Sequence, residues 1–125
     1  MRHLKKFKEV SIDYYRNTDN PEALSKRDIK TMIDFSEKND WLWEERTKES
    51  EFQIEFPKDD YYYTINIDKQ DDEYYLVHIF MEDYSDPQND DDKFLLLDGW
   101  DELNEFLQKL QKFYKHRRLY SIKSL

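Results

Sequence analysis

The amino-acid sequence predicts an α+β fold with two N-terminal helices, a four-stranded antiparallel meander sheet and one C-terminal amphipathic helix packed on the sheet. Three observations predict it. Apolar residues recur every three to four positions toward both ends of the chain, the period of a helix face. Through the middle they alternate with polar residues instead, the period of a half-buried strand. Clusters of Asn, Asp and Pro separate the periodic stretches, and 125 residues suit one domain spanning 1–125.

The elements follow in order. Leu4, Phe7, Ser11 and Tyr14/Tyr15 share a helical face and predict a helix over about 4–16, although Val10 and Ile12 also permit a short strand. Asn17 to Pro21 breaks it, because the residue before proline resists the α region. Ser25 and Asp28 then stand at capping-box spacing. They open a helix over about 26–38 with Ile29, Met32, Ile33 and Phe35 on its apolar stripe. Trp41, Leu42, Trp43 and the polar run 44–50 read as a connection that two tryptophans pin to the core.

Strands follow over about 51–56, 61–68, 73–82 and 93–97. Turns are expected at 57–60 and 69–72, and a longer loop containing Pro87 over 83–92. Asp98 is expected to cap the last helix, about 99–116. There Trp100, Leu103, Leu107, Leu110 and Tyr114 form the stripe, widened by Phe106 and Phe113.

Composition removes several classes of function. No cysteine means no disulfide framework, thiolate metal site or Cys nucleophile. One glycine, Gly99, leaves no phosphate-cradling loop of the Rossmann or P-loop type. No stretch approaches the ~18 apolar residues of a membrane span, and the basic N-terminus lacks the apolar run of a signal peptide. A cytoplasmic location, in a bacterial host cell, is the expectation.

The candidate catalytic residues are few. Of three histidines, His3 and His116 lie in basic company near the ends, and His78 lies mid-strand, where a cross-strand polar role is the simpler reading. Paired carboxylates of hydrolytic spacing arise by chance in so acidic a chain. The runs Asp59-Asp60, Asp71-Asp72-Glu73 and Asp90-Asp91-Asp92 lack the alternation, central glycine and terminal glutamate of a calcium loop. They read as solvated turns, so no metal or other cofactor is expected, and no enzymatic activity.

The informative feature is the charge layout. Net charge is -9, yet residues 1–30 carry eight Lys/Arg against five Asp/Glu, and residues 109–125 carry six Lys/Arg and no acid. The intervening 78 residues hold the rest of the 29 acids, a net of -18. Such a block repels nucleic acid and bare anionic membrane and attracts basic protein surfaces. Confining so much charge to one segment costs self-repulsion without stabilising a fold, which weighs against solubility as its only purpose.

On a strand, residues i and i+2 share a face about 6.6 Å apart, so the acidic strands can bear a regular row of negative charge. The expected partner-binding residues are Glu51, Glu55, Asp59, Asp60, Tyr62, Asp68, Asp71, Asp72, Glu73, Tyr74, Glu82, Asp83, Asp90, Asp91 and Asp92. Both faces of the strand over 73–82 are largely apolar, so either helices cover both or one is exposed beside Tyr62, where aromatics inside a charged rim suit an interface.

Short, cysteine-free, acidic and aromatic-rich, the chain resembles two groups of bacterial inhibitors in composition. They are the phage-encoded anti-defence proteins, including DNA-mimic anti-restriction and anti-CRISPR proteins, and the immunity proteins that neutralise nuclease toxins. The resemblance transfers no residue roles. It implies a non-enzymatic inhibitor bound to the basic nucleic-acid-binding surface of a nuclease or other DNA-handling protein, with toxin immunity or an acidic regulatory adaptor as alternatives.

Overall fold

The computed structural model describes residues 7–11, 13, 22–46, 51–70, 74–116 and 125. Their elements run β1 (Lys8–Val10), α1 (Lys26–Lys38), β2 (Leu42–Arg46), β3 (Glu51–Lys58), β4 (Tyr61–Lys69), β5 (Tyr74–Asp83), a 3-10 turn (Pro87–Asn89), β6 (Asp91–Asp98) and α2 (Gly99–Lys115). The strands form one six-stranded sheet in the order β1-β6-β5-β4-β3-β2, every pair antiparallel.

This corrects the expected architecture in two places. The expected helix over 4–16 is overturned at Lys8–Val10, which is an edge strand paired to Phe94–Leu96 of β6. Val10 favours that pairing, because a β-branched side chain is stiff in a helix and packs well on a pleated surface. The remainder of that expected helix lies outside the described residues, apart from Phe7, Ser11 and Asp13. Leu42–Arg46, read as a connection, is the opposite edge strand, registered from Leu42↔Glu55 to Arg46↔Glu51. There are thus six strands rather than four, and α1 lies between β1 and β2 rather than second in an N-terminal helix pair.

Both described helices cover the same sheet face. Phe52, Ile54 and Phe56 of β3, Tyr63, Ile65 and Ile67 of β4, and Val77 and Ile79 of β5 form one buried cluster with Leu103, Phe106, Leu107, Leu110 and Phe113 of α2. Phe56 sits at its centre. Its ring stacks on Trp41 at 5.4 Å and Tyr63 at 5.5 Å, meets Tyr114 edge-on at 4.9 Å and lies 6.4 Å from Phe113. Trp41 therefore does pin the chain after α1, whereas Trp43 stacks on Phe52 at 5.8 Å from a partly exposed edge.

Local chemistry sets the helix starts. Ser25 Oγ accepts from the Asp28 amide at 3.1 Å, and Asp28 returns the bond to the Ser25 amide at 3.2 Å. Asp28 is fully buried, so its carboxylate needs further partners. Tyr75 of β5 donates its hydroxyl at 2.7 Å, and Lys69 of β4 lies 3.9 Å away. The cap of α1 is thereby tied to two strands. At α2, Asp98 holds the N-cap position without a side-chain cap bond, and Glu102 instead accepts from the Asp98 amide at 3.1 Å. Gly99 follows at φ 82, a left-handed turn from β6 into α2 that a residue with a Cβ rarely adopts.

Removing the central ring tests this account. Phe56→Ala leaves a void among four aromatic neighbours and should lower unfolding stability by about 3–5 kcal/mol. Urea denaturation followed by far-ultraviolet circular dichroism measures it. A loss below about 1 kcal/mol would show that the cluster does not organise the core.

Candidate functional site

Strand alternation places the other side chains on the face turned away from both helices. Across it run Leu42, Glu44 and Arg46 of β2, Glu51, Gln53 and Glu55 of β3, and Tyr62, Thr64, Asn66 and Asp68 of β4. Beyond them come Tyr74, Leu76, His78, Phe80 and Glu82 of β5, Asp92, Phe94, Leu96 and Asp98 of β6, and Lys8 and Val10 of β1. Acids recur across this outer face, and Lys8 and Arg46 are its described Lys/Arg side chains.

The face has two halves. Toward β1 it is apolar: Leu76, Phe94 and Leu96 are buried, and the His78 ring lies flat on Phe94 at 4.3 Å while Nε2 reaches Asp92 at 3.2 Å. Toward β2 it is polar and anionic. Tyr62 donates its hydroxyl to Glu55 at 2.6 Å, which fixes a phenol beside a carboxylate across two neighbouring strands. That bond, more than the burial that adds to it, pushes the Tyr62 pKa up to about 12. Arg46 lies 3.9 Å from Glu44 along the edge strand.

The expected binding residues divide accordingly. Glu51, Glu55, Tyr62, Asp68, Tyr74, Glu82 and Asp92 lie together on the outer face. Asp59 and Asp60 are exposed in the tight β3–β4 turn, where Asp59 holds a left-handed φ of 57, a conformation aspartate tolerates. Asp83 and Asp90 serve the loop after β5 instead. Asp83 is buried and accepts from the Ser85 hydroxyl at 2.7 Å, the Ser85 amide at 2.9 Å and the Asp86 amide at 3.2 Å. Those bonds, the Ser85 hydroxyl first, hold its carboxyl below the usual range. Asp90 accepts from the Asp83 amide at 2.7 Å. Asp91 is exposed at the rim of the helix-covered face. Asp71, Asp72 and Glu73 lie outside the described residues.

The same geometry adds residues that sequence reasoning missed. Glu44 and Asp98 extend the anionic face at either side. Leu42 is 62% exposed and Trp43 39%, large apolar side chains on the β2 edge. With Glu44, Gln53 and Glu55 they line a shallow groove open to solvent. The available signal was Trp43, a strand-favouring residue four positions beyond Asn39 and free of proline to Ser50. Among the described residues, no three His, Asp or Glu side chains are placed to hold a metal ion. No described helix is long and apolar enough to cross a membrane.

Three tyrosines predict a specific alkaline behaviour. Burial raises the Tyr63 pKa to about 12, and burial together with the Asp28 hydrogen bond raises that of Tyr75 further. A phenol with a raised folded-state pKa stabilises the fold fully below its unfolded value near 10, and the contribution falls as pH rises through the folded value. Burial lowers the Lys58 pKa, so its contribution rises with pH only up to its unfolded value of 10.5 and leaves the loss above that unopposed. Urea stability should therefore fall between about pH 10 and 12, less steeply in Tyr63→Phe. In the Glu55→Ala variant, which removes the acceptor, titration of the tyrosine ring carbons by NMR should move Tyr62 down toward its ordinary value. An unmoved Tyr62 would refute the hydrogen bond as the cause.

No family model matches the chain, and neither a curated protein nor a solved structure matches it.

Proposed function

We propose that the protein is a non-enzymatic inhibitor whose outer sheet face binds the basic nucleic-acid-binding surface of a nuclease or another DNA-handling protein. One observation carries the proposal. Seven strand acids, Glu44, Glu51, Glu55, Asp68, Glu82, Asp92 and Asp98, lie on the face opposite the helices among tyrosines, against four, Glu9, Glu45, Asp83 and Asp91, on the covered face. A channel that receives phosphates through Lys and Arg attracts such a face by the same long-range electrostatics.

A second feature supports an interaction rather than a merely hydrated surface. Tyr62, Tyr74 and Phe80 are half-buried within the charged field, and Tyr84 beside Tyr62 is 67% exposed. Aromatic anchors in a polar rim are the usual anatomy of a protein interface.

The test uses immobilised protein exposed to host-cell lysate, eluted with salt or with competing duplex DNA. A basic DNA-binding protein should be released by DNA and by moderate salt, since screening acts over about 10 Å at 0.1 M. Purified, it should bind the Glu82→Lys/Asp92→Lys variant about tenfold more weakly or worse. Binding that survives both DNA competition and the charge reversal would overturn the proposal.

A further inference from the structure

The two edges of the sheet are unlike. β1 has three residues and carries Lys8, and short, lysine-bearing edges are a common way of discouraging further pairing. β2 has five residues in unbroken register with β3 and no proline, its cation Arg46 at the end, and every one is exposed. Alternate residues of such an edge turn their backbone N–H and C=O groups outward, and among the described residues no strand lies beyond β2. Leu42 and Trp43 add exposed apolar surface on opposite faces of the same edge.

We infer that β2 is a docking edge that accepts one extended, basic segment of a partner protein as a seventh strand. This rests on the proposed function and specifies how a basic partner is held. Backbone bonds to β2 supply binding, and side-chain pairs choose the segment. Leu42 and Trp43 occupy the first half of the edge, Glu44 and Glu45 the second, with Glu55 beside Leu42 on β3. The arriving strand therefore places apolar residues against Leu42 and Trp43 and lysine or arginine against Glu44 and Glu45. In the antiparallel orientation, the more stable per residue, it reads two basic then two apolar residues from N to C.

A second copy of this chain fits poorly. Two-fold antiparallel pairing of β2 centred on Glu44 sets Glu44 against Glu44 and Trp43 against Glu45. Like charges directly opposite are destabilising. In that register Arg46 stands opposite Leu42 rather than Glu44.

The test probe is a capped peptide of threonine, two lysines, two valines and threonine, added to the full chain. Amide hydrogen exchange is read residue by residue. Alternate amides of Leu42–Arg46 should slow by about tenfold or more with this peptide, and the protection should vanish when glutamates replace its lysines. N-methylation of alternate peptide amides should abolish it in one methylation frame. The Glu44→Lys/Glu45→Lys variant, altered only at exposed side chains, should lose peptide protection while keeping the exchange pattern of β3–β6.

No slowing at β2, or equal slowing by the acidic peptide, would overturn the inference. So would concentration-dependent slowing without peptide, which reports a second copy on this edge. The two proposals fail separately. Peptide binding that persists in Glu82→Lys/Asp92→Lys supports the edge whatever becomes of the outer face. Capture of a DNA-competed partner by the Glu44→Lys/Glu45→Lys variant at full strength leaves the face standing and removes the edge.

Discussion

The packing of rings around Phe56 decides which face of the sheet the helices occupy, and the rest of the surface follows from that choice. With one glycine and one alanine in the chain, helices cannot approach the sheet or each other closely through small residues. Bulky rings fill the gap instead, as Trp41, Tyr63, Phe113 and Tyr114 do around Phe56. Such packing is directional, because each ring has a preferred geometry against its neighbours. Once Phe52, Ile54 and Phe56 point toward α2, strand alternation sends Glu51, Gln53 and Glu55 the other way.

That constraint turns a compositional property into a spatial one. An unpaired buried carboxylate is costly, so seven of the eleven described strand acids lie on the face the helices leave, and Glu9, Glu45 and Asp91 of the other four are exposed at the rim of the covered face. Asp28 shows the requirement for burial: two backbone or hydroxyl donors and a nearby ammonium surround it. Asp83 meets the same need with amides and hydroxyls of its own loop. The strand acids of the outer face have partners in part, Tyr62 for Glu55 and His78 for Asp92, yet seven of them share that face with two described cations, Lys8 and Arg46. A use outside the fold is the simpler explanation, and it motivates the proposed binding role.

Most of the sheet was legible because its signals were local. The strands β3 to β5 alternate without interruption, and Ser25 with Asp28 announced the start of α1. The C-terminal helix was equally plain from its stripe of Leu and aromatic residues. The edges were not legible, for a physical reason. An edge strand is held by one neighbour, so β1 depends on Phe94–Leu96, and β2 on Glu51–Glu55, far more than on its own period. At Lys8–Val10 a helical reading of three residues competed with one β-branched side chain, and tertiary pairing decided. At Leu42–Arg46 the charged residues masked the strand, since both sides of an exposed edge can be polar.

The candidate face was partly legible for the same reason. Parity along a strand placed Glu51, Glu55, Asp68 and Glu82 together without knowledge of the loops. Parity could not place the acids that sit in turns, because a turn carboxylate has backbone amides within reach. Asp83 and Asp90 are used that way.

In the proposed binding role, the acidic face and the β2 edge would divide the work of recognition between two physical effects of different range. Charge on the outer face acts over about a Debye length and orients an approaching basic surface, which raises association rates more than it fixes geometry. Backbone pairing at β2 acts only in contact, but it sets register, because a slip of one residue would exchange the side chains matched to Leu42 and Glu44 for those matched to Trp43 and Glu45. The groove lined by Leu42, Trp43, Glu44, Gln53 and Glu55 joins the two surfaces. On this proposal a partner steered to the face would arrive beside the edge with its cations already aligned to the carboxylates, and the ordering cost of adding a strand would fall on a segment already held nearby.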